Sequence, residues 1–197
     1  MKKILLILIP LGLIIFYLTQ MTGSNDDYIN EIEMYWKEKH EFFANAEASP
    51  FVQKGIEYNN VEVFPPDPAF KLNAKLERFT SRQVLKLANS DGTSQSYLKF
   101  AKAKFQLKGK EQSLIILKTL GFGNQYLTAF VDETSGDATY GGGRYLDVVI
   151  GKSDQVTIDF NKAYNPYCAY FDDFSCPLPP RENFISVKIE AGEKAYK

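Results

Sequence analysis

Tyr97-Leu98-Lys99-Phe100-Ala101-Lys102-Ala103-Lys104-Phe105-Gln106-Leu107 is the stretch that decides the fold. Ala101, Ala103, Phe105 and Leu107 alternate with Lys102, Lys104 and Gln106. A period of two suits a half-buried strand and puts no apolar face on a helix. Turn signals stand on both sides: Ser90-Asp91-Gly92-Thr93 before it and Lys108-Gly109-Lys110 after it. Upstream, Leu72, Ala74 and Leu76 alternate with Asn73, Lys75 and Glu77, and Gln83 to Leu87 is a short apolar run. Downstream, Leu114 to Leu117 reads as a buried strand. Gly121-Phe122-Gly123-Asn124 then turns into Tyr126 to Val131. Arg144 to Ile150 and Gln155 to Phe160 are two more strands around Gly151-Lys152-Ser153-Asp154, and Ile185, Val187 and Ile189 form the last. About eight short strands punctuated by turns predict a mainly β, antiparallel domain, either a small, partly open barrel or a sandwich. Closure protects strand edges, which favours the barrel.

A helix precedes the strands. Asn25 and Asp26 are N-cap candidates, and Ile29, Ile32, Trp36 and Phe43 recur near helical spacing in residues 25–46. Ser49-Pro50 is read as its end, and Pro65-Pro66-Asp67-Pro68 excludes a central strand. Residues 25–197 are thus expected to form one mainly β domain with an N-terminal amphipathic helix.

Residues 1–20 are a separate unit. Lys2 and Lys3 precede an apolar run from Ile4 to Leu18, the pattern of a secretory leader. The run is short against the ~20 residues of a spanning helix, but Thr19 and Met21 extend it at little cost. No clean small-x-small cleavage site follows, and no nearby cysteine offers a lipid anchor. The expectation is a signal anchor or signal peptide. Residues 4–20 would hold the chain in the cytoplasmic membrane, with its body in the cell envelope outside the cytoplasm, because both lysines stay inside. Cleavage would secrete it instead.

The chain has 197 residues, 45% hydrophobic and 14% aromatic, enough for a core. Of its 23 basic residues two lie in the leader, which leaves 21 against 24 acidic ones. No basic cluster stands out, which argues against nucleic-acid binding.

Catalytic signatures are sparse. His40 is the only histidine and sits among charged residues of the helix, so a Ser/His or Cys/His arrangement lacks its base. No Gly-x-Ser-x-Gly elbow occurs. Cys168 and Cys176 without a nearby histidine do not fill a zinc shell. Asp172 and Asp173 are turn residues first and oxygen ligands second, so no metal or other cofactor is expected. Asp147 and Asp159 fall on neighbouring predicted strands, where two carboxylates at a barrel mouth can split their pKa values and act as acid and base. Tyr140-Gly141-Gly142-Gly143-Arg144-Tyr145 permits close backbone approach, and its arginine could receive a small anionic ligand; a bulge between strands explains the glycines equally well. Asn165 to Asn183 holds both cysteines and four of the nine prolines, with Tyr167, Tyr170, Phe171 and Phe174 among them. In an exported chain two cysteines suggest a disulfide, and closing so short a loop stabilises by about 2–3 kcal/mol.

Thr139 to Asp147, Asp159-Phe160-Asn161, Tyr164 to Tyr170, Cys176 to Asn183 and Ala191-Gly192-Glu193 occur in this order at close spacing. Together with Trp36 to Phe51 they resemble DUF1684, a bacterial and archaeal domain family. The resemblance spans most of the chain after the leader. It implies no activity and no catalytic residues, because the family has none assigned. It includes members without leaders, so the cysteines do not owe their place in the motif to an oxidising compartment alone.

Two readings follow. In the first, the domain is structural or binds a small ligand. The site would join Arg144, Tyr145, Asp147, Asp159, Asn161, Tyr164, Asn165, Cys168, Tyr170, Glu182 and Asn183. Alternatively, the same loop only plugs one barrel end, its asparagines satisfying buried amides. In the second, the chain is a hydrolase or a thiol-dependent enzyme using Cys168, or Asp159 or Glu182. Cys168 would then need a depressed pKa, expected from Arg144.

Overall fold

A computed structural model describes residues 25–121, 123 and 125–196. The leader, residues 1–20, lies outside the described residues, as do positions 122 and 124 of the Gly121 turn. The described chain falls into two compact units divided after Ile56.

In the first unit, residues 25–45 are helical (α1). Tyr28, Ile32, Trp36 and Phe43 form its buried stripe. Ser49-Pro50 also starts something: a short second helix, α2, spans Pro50–Lys54. Ser49 Oγ accepts from the Phe51 amide at 3.3 Å and donates to the Phe43 carbonyl at 2.6 Å. Pro50 occupies the first helical position, where its missing N–H costs nothing. Among the described residues no helix is long and apolar enough to cross a membrane.

The second unit is mainly β, a curled half-barrel built on one sheet. Its strands are β1 (Lys71–Ala88), β2 (Ser94–Leu107), β3 (Lys110–Thr119), β4 (Tyr126–Asp132), β5 (Arg144–Asp147), β6 (Gln155–Asp159) and β7 (Phe184–Ile185). The order is β5-β4-β3-β2-β1-β6, antiparallel throughout, with β7 added parallel to β4. There are seven strands rather than eight, because Leu72 to Glu77 and Gln83 to Leu87 belong to one long strand. Its pairing with β2 shifts register between Arg78 and Gln83, and the β2–β3 pairing shifts between Lys99 and Ala101. Such bulges bend a strand and raise its twist, which curls the sheet. The β2–β3 hairpin closes on Lys108 (φ 49) and Gly109 (φ 75), two successive left-handed residues.

The alternation of β2 is realised: Ala101, Ala103, Phe105 and Leu107 join the core on the sheet's inner face. Phe130 and Phe160 meet edge-on at 5.1 Å, and Phe105 approaches Phe160 at 5.9 Å. Leu87, Tyr97, Ile115 and Leu117 form a smaller cluster. β3 is therefore buried on both faces, as its unbroken apolar run requires.

The C-terminal segment departs from expectation. Ile185, Val187, Ile189 and Ala191 alternate into the core, yet only Phe184–Ile185 pair as a strand. Side chains take the place of a neighbouring ladder. Lys108 Nζ donates to the Lys188 carbonyl at 3.0 Å and Lys110 Nζ to that of Ser186 at 2.9 Å. Gln112 Oε1 accepts from the Ser186 amide, and Asp132 Oδ2 accepts from the Ile189 amide at 2.8 Å. β5 also stops at Asp147, short of Ile150.

Candidate functional site

Arg144 opens β5, and alternation sends it to the core side with Leu146 and Val148. It is 0% exposed. Nη2 donates to Asp132 Oδ1 at 3.1 Å and to the Ile189 carbonyl at 2.9 Å. Nη1 donates to the carbonyls of Ala191 and Glu193. Burial pulls its pKa down while Asp132 pushes it back, and a guanidinium stays charged in either case. The expected anion receptor is thus a fastener for residues 189–193. Asp132 completes it by accepting from Thr134 Oγ1 at 2.8 Å and from the Thr134 amide.

Asn183 and Asn161 each accept from a backbone amide, while Asn165 satisfies a carbonyl instead. Asn183 is fully buried. Its Oδ1 accepts from the Ile115 amide at 2.6 Å; its Nδ2 donates to the Ala129 carbonyl at 2.8 Å, to Thr128 Oγ1 and to the Ile115 carbonyl. These bonds fill the gap between β3 and β4, whose pairing is confined to Leu117–Leu127 and Lys118–Tyr126. Asn165 donates its amide to Glu193 Oε2 (2.5 Å) and its Nδ2 to the Lys194 carbonyl. Tyr170 OH donates to the same Glu193 oxygen at 2.7 Å, and burial, then Glu193, raises the phenol pKa. Asn161 exchanges two hydrogen bonds with the Asp67 backbone, at 2.8 and 2.9 Å. Asp159, 8% exposed, caps the one-turn helix Phe160–Lys162 by accepting from Asn161.

The glycine bend and the Asn165–Asn183 loop do meet, and they meet around side chains. A Cβ on Gly143 would stand 2.6 Å from Pro179 Cγ and 2.5 Å from the Phe130 carbonyl. Tyr145 OH donates to the Pro177 carbonyl, and burial raises its pKa. Gly142 leaves room for the ring of Tyr140. Tyr140 OH lies 3.5 Å from the Cys168 carbonyl and 3.8 Å from its sulfur.

The two cysteines are adjacent thiols. Cys168, partly exposed, sits on the one-turn helix Tyr167–Ala169. Its amide donates to Cys176 Sγ at 3.1 Å. The Cys176 amide donates to Ser90 Oγ, and the Ser90 amide to the Cys176 carbonyl, which pins Cys176 to the β1–β2 turn. The Cys168 pKa falls to about 6. A hydrogen bond from the Cys176 thiol is the main cause, opposed by burial and helped by Tyr140 and Ser90. The depression is the one a thiol nucleophile needs, but hydrogen bonds supply it rather than Arg144. The Cys176 pKa moves up for the reciprocal reason, since it donates to the thiolate.

The paired-carboxylate arrangement is not formed. β5 and β6 lie at opposite ends of the strand order, so Asp147 and Asp159 are not on neighbouring strands. Asp147 is exposed and accepts from Tyr164 OH at 3.0 Å. Asp147 and Tyr164 line an open cleft of about 580 Å³ with Gln125, Tyr126 and Val148 to Ile150. Glu182 is exposed and pairs with Lys99 at 3.6 Å. Two further clefts, of about 390 and 530 Å³, are lined by Val61, Phe64 and Lys194, and by Pro66, Phe70 and Lys108 among others. Neither takes in a candidate residue. Among the described residues no cluster of three or more His, Cys, Asp or Glu side chains could hold a metal.

Asp132, Tyr140 and Ser90 matter here, and nothing in the sequence pairs them with the residues they touch. Their partners lie 12, 28 and 86 residues away.

The family model described as "Protein of unknown function (DUF1684)" matches residues 56–194. The chain is also similar to an uncharacterised protein of Haloarcula marismortui solved by solution NMR. The two are 30% identical with a TM-score of 0.66, over 87% of this chain and 96% of that one. No curated protein matches.

Proposed function

The chain belongs to the DUF1684 family, and we propose that its body is a small-ligand-binding β module held outside the cytoplasm by its leader. Export rests on the leader composition: Lys2 and Lys3, then the apolar run from Ile4 to Leu18. Ligand binding rests on one observation. Of the candidate residues, Asp147 and Tyr164 line an open cleft, whereas both Nη atoms of Arg144 and the side-chain amide nitrogens of Asn161, Asn165 and Asn183 are buried donors to acceptors of the fold.

The cleft is lined by a carboxylate, two phenols and the apolar run Val148 to Ile150. Val149 is 90% exposed, an apolar surface with little to cover it. Such a lining suits a small amphipathic molecule that carries an amine or other donor, rather than the anion expected from Arg144. A hydrolase built on carboxylates is less well supported, because Asp159 is occupied by the Asn161 turn and Glu182 by Lys99.

Benzylamine and benzoate, titrated separately into the detergent-solubilised full chain, test the reading. Benzylamine should shift the ring resonances of Tyr126 and Tyr164, benzoate should not, and Asp147→Asn should remove the response. Equal shifts from both probes, or none from either, would overturn it.

A further inference from the structure

We propose that Cys168 and Cys176 form a redox-active dithiol that exchanges with low-molecular-weight disulfides, Cys168 attacking and Cys176 resolving. The geometry assigns these roles. Cys168 is partly exposed on a one-turn helix, and Cys176 is 7% exposed and tied to the β1–β2 turn through Ser90. The Cys168 amide already touches Cys176 Sγ at 3.1 Å, so little backbone travel separates the two sulfurs from bonding distance. The intervening residues fold back on themselves. Tyr167 and Phe174 pack edge-on at 5.2 Å and Phe171 and Phe174 lie tilted at 5.8 Å, which keeps the ends of the short loop together in the reduced state.

Charge state follows geometry. The Cys176 thiol and the Tyr140 hydroxyl both donate to the Cys168 sulfur, so the proton is lost from Cys168 and kept on Cys176. Tyr140 keeps its own proton, its pKa pushed up to about 12 by burial and then by the cysteines. Asp91 opposes ionisation of Cys176, Asp172 that of Tyr140, and Tyr97 and Tyr145 also face the pair. These hydrogen bonds favour the thiolate on the partly exposed Cys168 and the thiol on the buried Cys176. This is the division of labour that thiol–disulfide exchange requires.

The steps balance. The Cys168 thiolate attacks one sulfur of a disulfide RS–SR. The S–S bond breaks, one RS⁻ leaves with the electron pair, and Cys168 holds the other sulfur as a mixed disulfide. Cys176 gives its proton to the departing RS⁻. It then attacks Cys168 Sγ and expels the second RS⁻. Two protein sulfurs are oxidised to one disulfide, and the small disulfide is reduced to one thiol and one thiolate. Reduced RSH reverses the sequence.

Oxidised glutathione is a suitable probe for the reduced full chain at neutral pH, with a maleimide quench and intact-mass analysis. The wild type should lose two hydrogens and take up no maleimide. Cys176→Ser should stall with one glutathionyl group on Cys168, and Cys168→Ser should stay reduced, forming adduct at least several-fold more slowly. Reduced glutathione should restore the dithiol. Comparable adduct formation in both serine variants would overturn the roles, and a disulfide that forms but resists reduction would be a static staple. Should either variant fail to fold, limiting iodoacetamide on the native wild type decides: Cys168 must alkylate first, and preferential or equal labelling of Cys176 sinks the proposal.

Discussion

Arg144 and Cys168 come from the two most unusual runs of the sequence, and the fold treats them in opposite ways. Arg144 carries a permanent charge, yet both of its Nη atoms point at protein acceptors and no solvent reaches it. Cys168 carries a weakly polar thiol, yet it is partly exposed and its partners bias it toward ionisation. The residue that looked like a receptor fastens the C-terminal segment, and the one that looked like a staple holds the reactive electron pair. Chemical potential thus depends less on residue type than on whether the surroundings already meet its bonding needs.

The largest test breaks the Arg144 side of this contrast. Arg144→Ala leaves Asp132 as an uncompensated buried charge and strips donors from the carbonyls of Ile189 to Glu193. Breaking a buried pair in this way costs about 3–5 kcal/mol. Urea unfolding should show that loss, and a double cycle with Asp132→Asn should show strong coupling, because the two groups share one network. A loss within the range of ordinary surface substitutions would mean that Arg144 is free to serve a ligand after all.

Asn183→Leu asks the same question of the loop. It orphans the Ile115 amide, whose strand cannot turn elsewhere for an acceptor. One buried unsatisfied group of this kind costs about 1–3 kcal/mol. Amide exchange at Ile115 should accelerate most. Exchange unchanged there would show that Asn183 is not what bridges β3 to β4.

How far this could be read in advance differs between the two regions for a physical reason. The hairpins were legible because alternation and turn chemistry are local. Ala101, Ala103, Phe105 and Leu107 point inward as their spacing requires, and Lys108-Gly109 makes the turn. Alternation even held the answer for Arg144, since Leu146 and Val148 lie on its face; the nearby glycines drew the reading toward a ligand instead. The merger of two short strands into β1 depended on a bulge, which leaves no periodic trace. The resting place of Ile189 to Glu193 depended on side chains from β4 and β5, and that is a long-range fact. The thiol pair was visible as a spacing, but its polarity depended on Tyr140 and Ser90, which only the folded chain brings near.

Gly143→Ala probes the contact between the two regions. Gly143 has φ 87, and the added Cβ would collide with the Phe130 carbonyl and with Pro179 of the loop. The left-handed conformation alone costs an L-residue about 1–2 kcal/mol. The loss should come with faster alkylation of Cys176, because Pro179 is pushed from the bend and the loop loosens. Stability lost without any change at Cys176 would separate the bend from the thiol pair.

The smallest effect is the pH dependence of the thiol pair itself. Cys168 titrates at about 6 in the folded chain against an ordinary value of 9.0. Between those values the unfolded chain holds a proton that the folded chain has released, so stability rises with pH across this window. The contribution disappears as pH falls through about 6. Cys176 works the other way. Its raised pKa keeps it protonated in the fold, so stability declines once pH passes the ordinary thiol range and the unfolded Cys176 ionises. Urea midpoints of the reduced protein should therefore climb and then fall, and Cys168→Ser should flatten the climb. Because Cys168 is partly exposed, solvent screens the interaction and the slope is shallow. Parallel profiles for wild type and Cys168→Ser would mean that the thiolate gains nothing from the fold. Cys168 would then be no better prepared for chemistry than any surface cysteine, and its contrast with Arg144 would collapse.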